Sequence, residues 1–564
     1  MNPRSAGRPP DAAVARRSSA TPIQAALDVE RAEEIDWSEQ ADVLVVGWGA
    51  AGACAAIEAR AHQASVLVID RFDGGGASEL SGGVVYAGGG TRYQQAAGYA
   101  DTPQAMFDYL RHEVNGVVSD TTLMRFCMDS VDNLGWLEQH GARFGATMPT
   151  HKTSYPPDGV FLYHSGNELV PAYGGSGASA PRGHRTVAKG QSGAALYAAL
   201  RAATLRAGAA TLTQTSVRRL VRERCSGRVI GVEAWQLPPG GAAALEHARL
   251  QRQATRWRSY RPAKAAAWRL QAAAIEGAHA EPRFIRAVRG VVLSTGGFIC
   301  NPELVNQHAP HYRRGWPIGA AGCDGSGLRL GQSVQGQGQQ LSNISAWRFI
   351  TPPPSWLMAM VVNSRGERFC NEQVYGAKLG HAMVEQQGGK AWLVIDARLR
   401  LQAIKECLFG GLWAFQFLPA LAMMLIGARK APTIGALAAR IGADPATLER
   451  HWQTYNAAAR GDRDDWLGKS ADMRQALERA PFYALNISIG ERLFPLATIS
   501  LGGLRVNEAD GHVTNAEGHD IAGLFAAGRS AIGLPSSGYV SGLSLADCVF
   551  SGRRAGHAAA LQGV

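Results

Sequence analysis

Tyr539 and Ser541 stand two residues apart in the stretch Gly538-Tyr539-Val540-Ser541-Gly542-Leu543-Ser544-Leu545-Ala546-Asp547. The stretch follows an apolar run that reads as a strand, Gly523-Leu524-Phe525-Ala526-Ala527-Gly528-Arg529. From Ser541 onward the pattern reads as a helix to about Gly556, with small polar residues placed to cap its first amides. The positive end of a helix attracts negative charge. Two hydroxyls beside such an end suit a delocalised anion or an enolate-like oxygen.

Chemistry of that kind needs a scaffold, and the scaffold begins near the other end of the chain. Ala41 to Val46 is a short β-branched run that leads into Gly47-Trp48-Gly49-Ala50-Ala51-Gly52. An alanine-rich helical pattern follows, then Ser65-Val66-Leu67-Val68-Ile69, closed by Asp70. Strand, G-x-G-x-x-G, helix, strand and acid in this order form the dinucleotide-binding fingerprint. Gly47, Gly49 and Gly52, with Ala51 between them, allow the tight turn and the approach of backbone to a pyrophosphate. Asp70 is expected to hold ribose hydroxyls.

The next residues distinguish between nucleotides. Gly74 to Gly83 is rich in glycine and serine, including Ser78, Ser81, Gly82 and Gly83, and a further glycine run spans Gly88 to Gly90. Such a stretch suits backbone lying against a flat, extended ligand, with hydroxyls on its phosphates. Two later strands, one ending in Ser294-Thr295-Gly296-Gly297-Phe298 and the other in Gly528-Arg529, read as returning to the first sheet.

Composition narrows the function class. The chain has 564 residues, 46% apolar and 18% charged, which suits a globular protein of two or three domains. Its net charge of +11 invites nucleic acid, an anionic membrane or anionic substrates, but no nucleic-acid-binding motif accompanies the charge. The eight cysteines show no Cys-x-x-Cys spacing, so neither a structural metal nor a disulfide framework is indicated, and the chain reads as reduced and cytoplasmic. Arg16-Arg17 lacks a following apolar region, so no secretory or twin-arginine signal is expected.

The fingerprint, the Ser-Thr-Gly-Gly-Phe strand, Gly322-Cys323-Asp324-Gly325-Ser326-Gly327, Asn363 through Glu372 and the Ala-Ala-Gly-Arg strand form an ordered set from about Asp42 to Gly556. Together they resemble the fumarate reductase/succinate dehydrogenase flavoprotein superfamily. The resemblance implies an α/β chain whose Rossmann-type domain binds FAD, with an inserted α+β capping domain closing over the flavin ring. It adds Arg71, Val217 and Asp324 to the expected FAD contacts, alongside Gly296 and Gly528. The expected boundaries are a flexible arm at 1–38, the FAD-binding domain at 39–348, the cap at 349–501 and a return to the FAD-binding domain at 502–564.

Within that superfamily, fumarate-reducing members resemble Asn-Glu followed after three residues by an arginine. Here the run is Asn371-Glu372-Gln373-Val374-Tyr375-Gly376, with glycine at the arginine position. The sequence also lacks the His-Ser-x-x-Ala-Gln pattern used for covalent flavin attachment, which implies non-covalent FAD. Tyr375 with Tyr539-Val540-Ser541-Gly542 is similar to the 3-ketosteroid dehydrogenases, more to the Δ4-(5α) than to the Δ1 type. The resemblance implies that Tyr375, Tyr539 and Ser541 line the site above the flavin, the substrate being a steroid and a further electron acceptor being required.

The chemistry agrees. Dehydrogenation beside a ketone needs a base for the α-proton, a hydride acceptor and donors for the enolate oxygen. Ser541 and Tyr539 are expected to remove and relay the C4 proton with Tyr375 in support, and amides of Gly542, Leu543, Ser544 and Leu545 to face flavin N1 and O2. An ordinary tyrosine pKa near ~10 is too high for an efficient base, so the site must assist. His184, Arg185 and Tyr86 are further polar candidates, for the pocket or for packing.

Two segments depart from the plain flavoprotein pattern. Residues 238–289 form an insertion rich in Ala, Arg and Trp at helical spacing, including Arg249, Arg252, Arg256, Arg258, Trp257, Trp268 and Arg269. Leu408 to Gly427 is uncharged and long enough for a membrane span, but Pro419 interrupts it inside the cap. It reads either as a buried helix pair along the substrate channel or as a membrane-facing mouth, with peripheral membrane contact assisted by the basic insertion.

Overall fold

The computed structural model describes residues 18–173 and 179–562. Within them the strand Glu39–Val46 lies inside a nine-stranded mixed sheet. It pairs in parallel with Val66–Ile69 on one side and Glu281–Leu293 on the other. Asp520–Ala526 joins the same sheet in parallel with Glu281–Leu293, through the register Val291 to Leu524. The strand made from the chain's last quarter therefore ends beside the fingerprint turn. Parallel strands buried on both faces read as continuous apolar runs, and Val43 to Val46 and Val66 to Ile69 are all buried.

The fingerprint turn is backbone-limited. Gly47 has φ +101°, and a Cβ on Gly52 would lie 2.0 Å from the Gly47 carbonyl oxygen, so only glycine lets the helix Ala50–Ala61 start this close to the strand. The final helix, Leu543–Leu561, packs on that helix, and Arg553 Nε donates to Glu58 at 2.9 Å.

A second, antiparallel sheet of four strands belongs to the expected cap: Met360–Val362, Trp392–Ile395, Phe482–Asn486 and Arg429–Ala431, in that order. The segment that carries Tyr375 lines the same cavity as the fingerprint turn. That position is held from below by a buried charge cluster. Arg368 Nε and Nη2 donate to Glu372 at 2.9 and 2.8 Å, Lys469 Nζ lies 3.1 Å from the same carboxylate, and Arg368 Nη1 reaches Asp465. The Asn371-Glu372 motif thus clamps the segment that carries Tyr375.

Several expectations are corrected. Residues 18–38 are not a flexible arm: Leu27–Val29 pairs with Thr215–Glu223 at the sheet edge, and Thr21 is buried, its amide and hydroxyl both donating to Asp324 at 2.7 Å. Residues 1–17 of the expected arm lie outside the described residues. The insertion at 238–289 is helical only over Ala242–Trp257 and Pro262–His279. Arg283 and Arg286 keep a helix-like spacing, yet they lie in the strand Glu281–Leu293, because pairing with Val229–Gln236 outweighs local pattern.

Leu408 to Gly427 is neither one span nor a buried pair. Gly410-Gly411 ends the helix Ala397–Phe409, a second helix covers Ala414–Ala422, and a π-turn covers Met423–Gly427. Among the described residues, no helix is long and apolar enough to cross a membrane.

Candidate active site

A cavity of about 840 Å³ runs from the fingerprint turn to the underside of the cap. At one end it is lined by Gly47, Gly49, Ala51, Asp70, Arg71 and Val217, and along its length by Ser78, Ser81, Gly82, Gly83 and Gly296. At the other end stand Tyr375, Tyr539, Ser541, Gly542, Ser544 and Leu545, with Trp347 and Phe349.

Four expected contacts do not reach this wall. Gly52 packs under Gly47. Gly528 packs on Ala51, where a Cβ would come within 2.8 Å. Leu543 points into the core and is fully buried. Asp324 is occupied by Thr21, by the amide of Ser326 at 2.9 Å and by Arg71 Nη1 at 3.0 Å. Arg71 itself lines the cavity while its Nε pairs with Glu276 of the insertion at 3.1 Å, which pins the helical hairpin against the fingerprint domain. Asp70 also lines the cavity. Its carboxylate accepts from the amides of Trp48 and Phe72, both at 2.8 Å, and Gly74 at 3.2 Å, so it shapes the turn as well.

The hydroxyl end is built from three separate parts of the chain. Gly542 caps the final helix with φ +92°, and a Cβ there would sit 2.8 Å from the Tyr86 amide nitrogen. The cap is backbone geometry, since no side chain serves it, and the helix continues to Leu561 rather than Gly556. Ser541 is held by a pair of bonds to Ser165: its amide donates to the Ser165 carbonyl at 3.2 Å, and Ser165 Oγ donates to its carbonyl at 3.0 Å. Tyr539 packs against Trp347 with ring centroids 5.0 Å apart and the rings tilted by 31°. Tyr375 meets the edge of Phe349 at 5.2 Å, and its amide donates to Asn167 Oδ1 at 2.6 Å.

Sequence reasoning missed Tyr163, whose hydroxyl lies 3.1 Å from Ser541 Oγ although Tyr163 is off the cavity wall. No local signal marks it. Burial raises the phenols of Tyr163, Tyr375 and Tyr539 above the ordinary tyrosine value. For Tyr375 the neighbouring Tyr539 and Tyr163 add to the rise and Ser541 opposes it; for Tyr539 the cation of Arg529 opposes it. The three are therefore neutral hydrogen-bond donors at neutral pH. His184, Arg185 and Tyr86 stay off the wall, bonded instead to Thr91, to Asp158 with nearby carbonyls, and to Glu168.

Arg529, the residue after Gly528, is the second omission. It is buried, lines the cavity and has a partner, Cys323 Sγ, on Nη2 only; its Nη1 has none. Trp48 also lines the wall, and its buried Nε1 has no partner. Buried donors left open across a glycine-lined trough fit an anionic, extended dinucleotide. The residues match the FAD binding domain family from 42 to 542. The chain belongs to that family, and FAD is its cofactor.

The chain is 52% identical over 522 residues to a 3-oxo-5-alpha-steroid 4-dehydrogenase of Comamonas testosteroni, covering 91% of this chain and 96% of that one. A crystal structure of a 3-ketosteroid-delta4-(5alpha)-dehydrogenase from Rhodococcus jostii RHA1 in complex with 4-androstene-3,17-dione superposes with a TM-score of 0.79 at 28% identity, over 96% of this chain and all of that one. A 3-ketosteroid delta1-dehydrogenase from Sterolibacterium denitrificans shares the fold, with a TM-score of 0.64 at 18% identity over 93% of this chain and all of that one.

Proposed function

We propose that this chain dehydrogenates 5α-reduced 3-ketosteroids, introducing the C4–C5 double bond. The observation that carries the reading is the convergence of Tyr375 from the cap with Tyr539 and Ser541 from the C-terminal segment on one aromatic end of the FAD cavity. The near full-length likeness to a relative of that activity supports it. A steroid skeleton needs apolar walls and few charges, and Trp347 and Phe349 supply them.

Removing a hydrogen from C4 as a proton leaves charge on the C3 oxygen. A neutral, buried Tyr539 phenol is a donor for that oxygen. Ser541 Oγ accepts the C4 proton and passes its own to one of two neighbouring phenol oxygens, Tyr163 or Tyr375. The receiving phenol has first lost its proton to solvent, so charge and protons balance. Bound FAD supplies the hydride acceptor for the hydrogen leaving C5. Gly542, Ser544 and Leu545 would hold the flavin end, and Arg529 with the fingerprint residues would hold the remainder. Peripheral contact with a membrane, the reservoir for an apolar substrate, belongs to the same reading.

The test is anaerobic flavin bleaching with a 5α-androstane-3,17-dione-type steroid, followed by product identification. Bleaching with a 4-ene product is the expected result. A 1-ene product moves the chain to the Δ1 type, and absence of bleaching with FAD bound overturns the steroid reading.

A further inference from the structure

Six large apolar side chains of the cap are exposed between positions 408 and 426: Leu408, Phe409, Phe415, Leu418, Leu425 and Ile426. Phe409 and Ile426 are 84% and 80% exposed, close to fully solvated. Their three segments form one unit, because Arg400 of the first helix donates through Nε and Nη2 to the Met424 carbonyl of the π-turn at 3.2 and 3.0 Å, while the helix between them packs on both. Phe415 and Leu418 are exposed and also line the cavity. The exposed apolar surface of this unit therefore reaches the cavity.

Its rim is cationic. From Ala397 to Pro432 the chain carries five arginines and lysines and one acid, Glu406. That acid is spent inside the protein, accepting from the Ser355 amide at 2.9 Å and Gln402 Nε2 at 3.1 Å. Arg398, Lys405, Arg429 and Lys430 are exposed. Two copies meeting through this face would oppose like charges, whereas an anionic bilayer pairs with the rim and accepts the apolar side chains.

We propose that this face docks on an anionic lipid surface, so that the steroid passes from the bilayer into the cavity past Phe415 and Leu418. The assignment rests on the steroid reading for its purpose, but its first test does not require turnover. Full-length holoenzyme is floated with vesicles of phosphatidylcholine, with and without phosphatidylglycerol. Co-flotation with the anionic vesicles at low salt, lost at high salt, is expected. Phe409→Ser with Ile426→Ser abolishes it. Arg429→Gln with Lys430→Gln lowers partitioning roughly 25-fold, at about fivefold per charge.

These four side chains are solvated and off the cavity wall, so every variant bleaches normally with cyclodextrin-solubilised steroid, while steroid supplied in vesicles is used more slowly. Protein that stays in the soluble fraction at low salt overturns the proposal. So does a dimer in solution that Phe409→Ser with Ile426→Ser dissociates, which would assign the face to a second copy. Flotation without any steroid bleaching would instead overturn the steroid reading and leave the docking face standing.

Discussion

The Tyr163 and Ser541 hydroxyls lie 3.1 Å apart across 378 positions of sequence, joining a strand of the FAD-binding part to the segment that caps the final helix. Tyr163 is off the cavity wall, and its hydrogen bond to Ser541 is its direct link to a residue that lines it. Tyr163→Phe is expected to slow flavin reduction roughly tenfold, the scale of one lost hydrogen bond, with substrate affinity unchanged. In a Ser541→Ala background the same substitution should change nothing further. Stopped-flow reduction of the two single variants and the double variant makes the check, and additive losses would show that Tyr163 is only structural.

Tyr539→Phe and Ser541→Ala should each keep the bound-flavin spectrum and slow reduction by steroid roughly 10²-fold or more, as for loss of an oxyanion donor and of a proton-transfer group respectively. Full activity in both would remove them from the mechanism.

The buried phenols make a statement about pH. Because Tyr163 and Tyr375 are shifted above the ordinary tyrosine value, their ionised fraction stays small through neutral pH and grows about tenfold per pH unit. Flavin reduction should therefore rise with pH up to about pH 10 without reaching a plateau. A profile flat from neutral pH upward would exclude a phenolate as the proton acceptor.

Arg529 lines the cofactor cavity, and its buried Nη1 has no hydrogen-bond partner. Arg529→Met should weaken FAD retention roughly tenfold or more, the scale of a charge-assisted hydrogen bond. Flavin fluorescence released on dialysis measures it, and full retention would assign Arg529 to packing.

Glu372 sets an acid limit on the fold. Burial raises its carboxyl, but Arg368 and Lys469 more than offset this and hold it down to about 2, against an ordinary 4.5. A folded value below the unfolded one means that the stabilisation is complete above the unfolded value and is lost as pH falls toward about 2. Denaturant midpoints should therefore drop through that window. Glu372→Gln should cost roughly 3–5 kcal/mol at neutral pH, since it leaves buried cations uncompensated, and should flatten the acid limb. Unchanged midpoints would refute the clamp.

What the sequence determined by itself was the nucleotide-binding framework. Gly47, Gly49 and Gly52 between two apolar strands, with Asp70 at the end, is a local pattern in which backbone sterics dictate residue type, so it can be read without tertiary knowledge. Tyr375, Tyr539 and Ser541 were legible for a related reason, since they stand within short ordered motifs. Tertiary structure alone decided the rest. Asp324 left the cavity because Thr21 and Arg71, hundreds of residues away, claim its carboxylate. Glu281 to Arg286 became a strand because a neighbour's edge was available for pairing. Leu408 to Ile426 kept apolar side chains in solvent because the cap's own sheet and helices cover only one side of them. Tyr163 became the partner of Ser541 only when the fold brought the two together, and side-chain direction across a fold is not written in any local pattern.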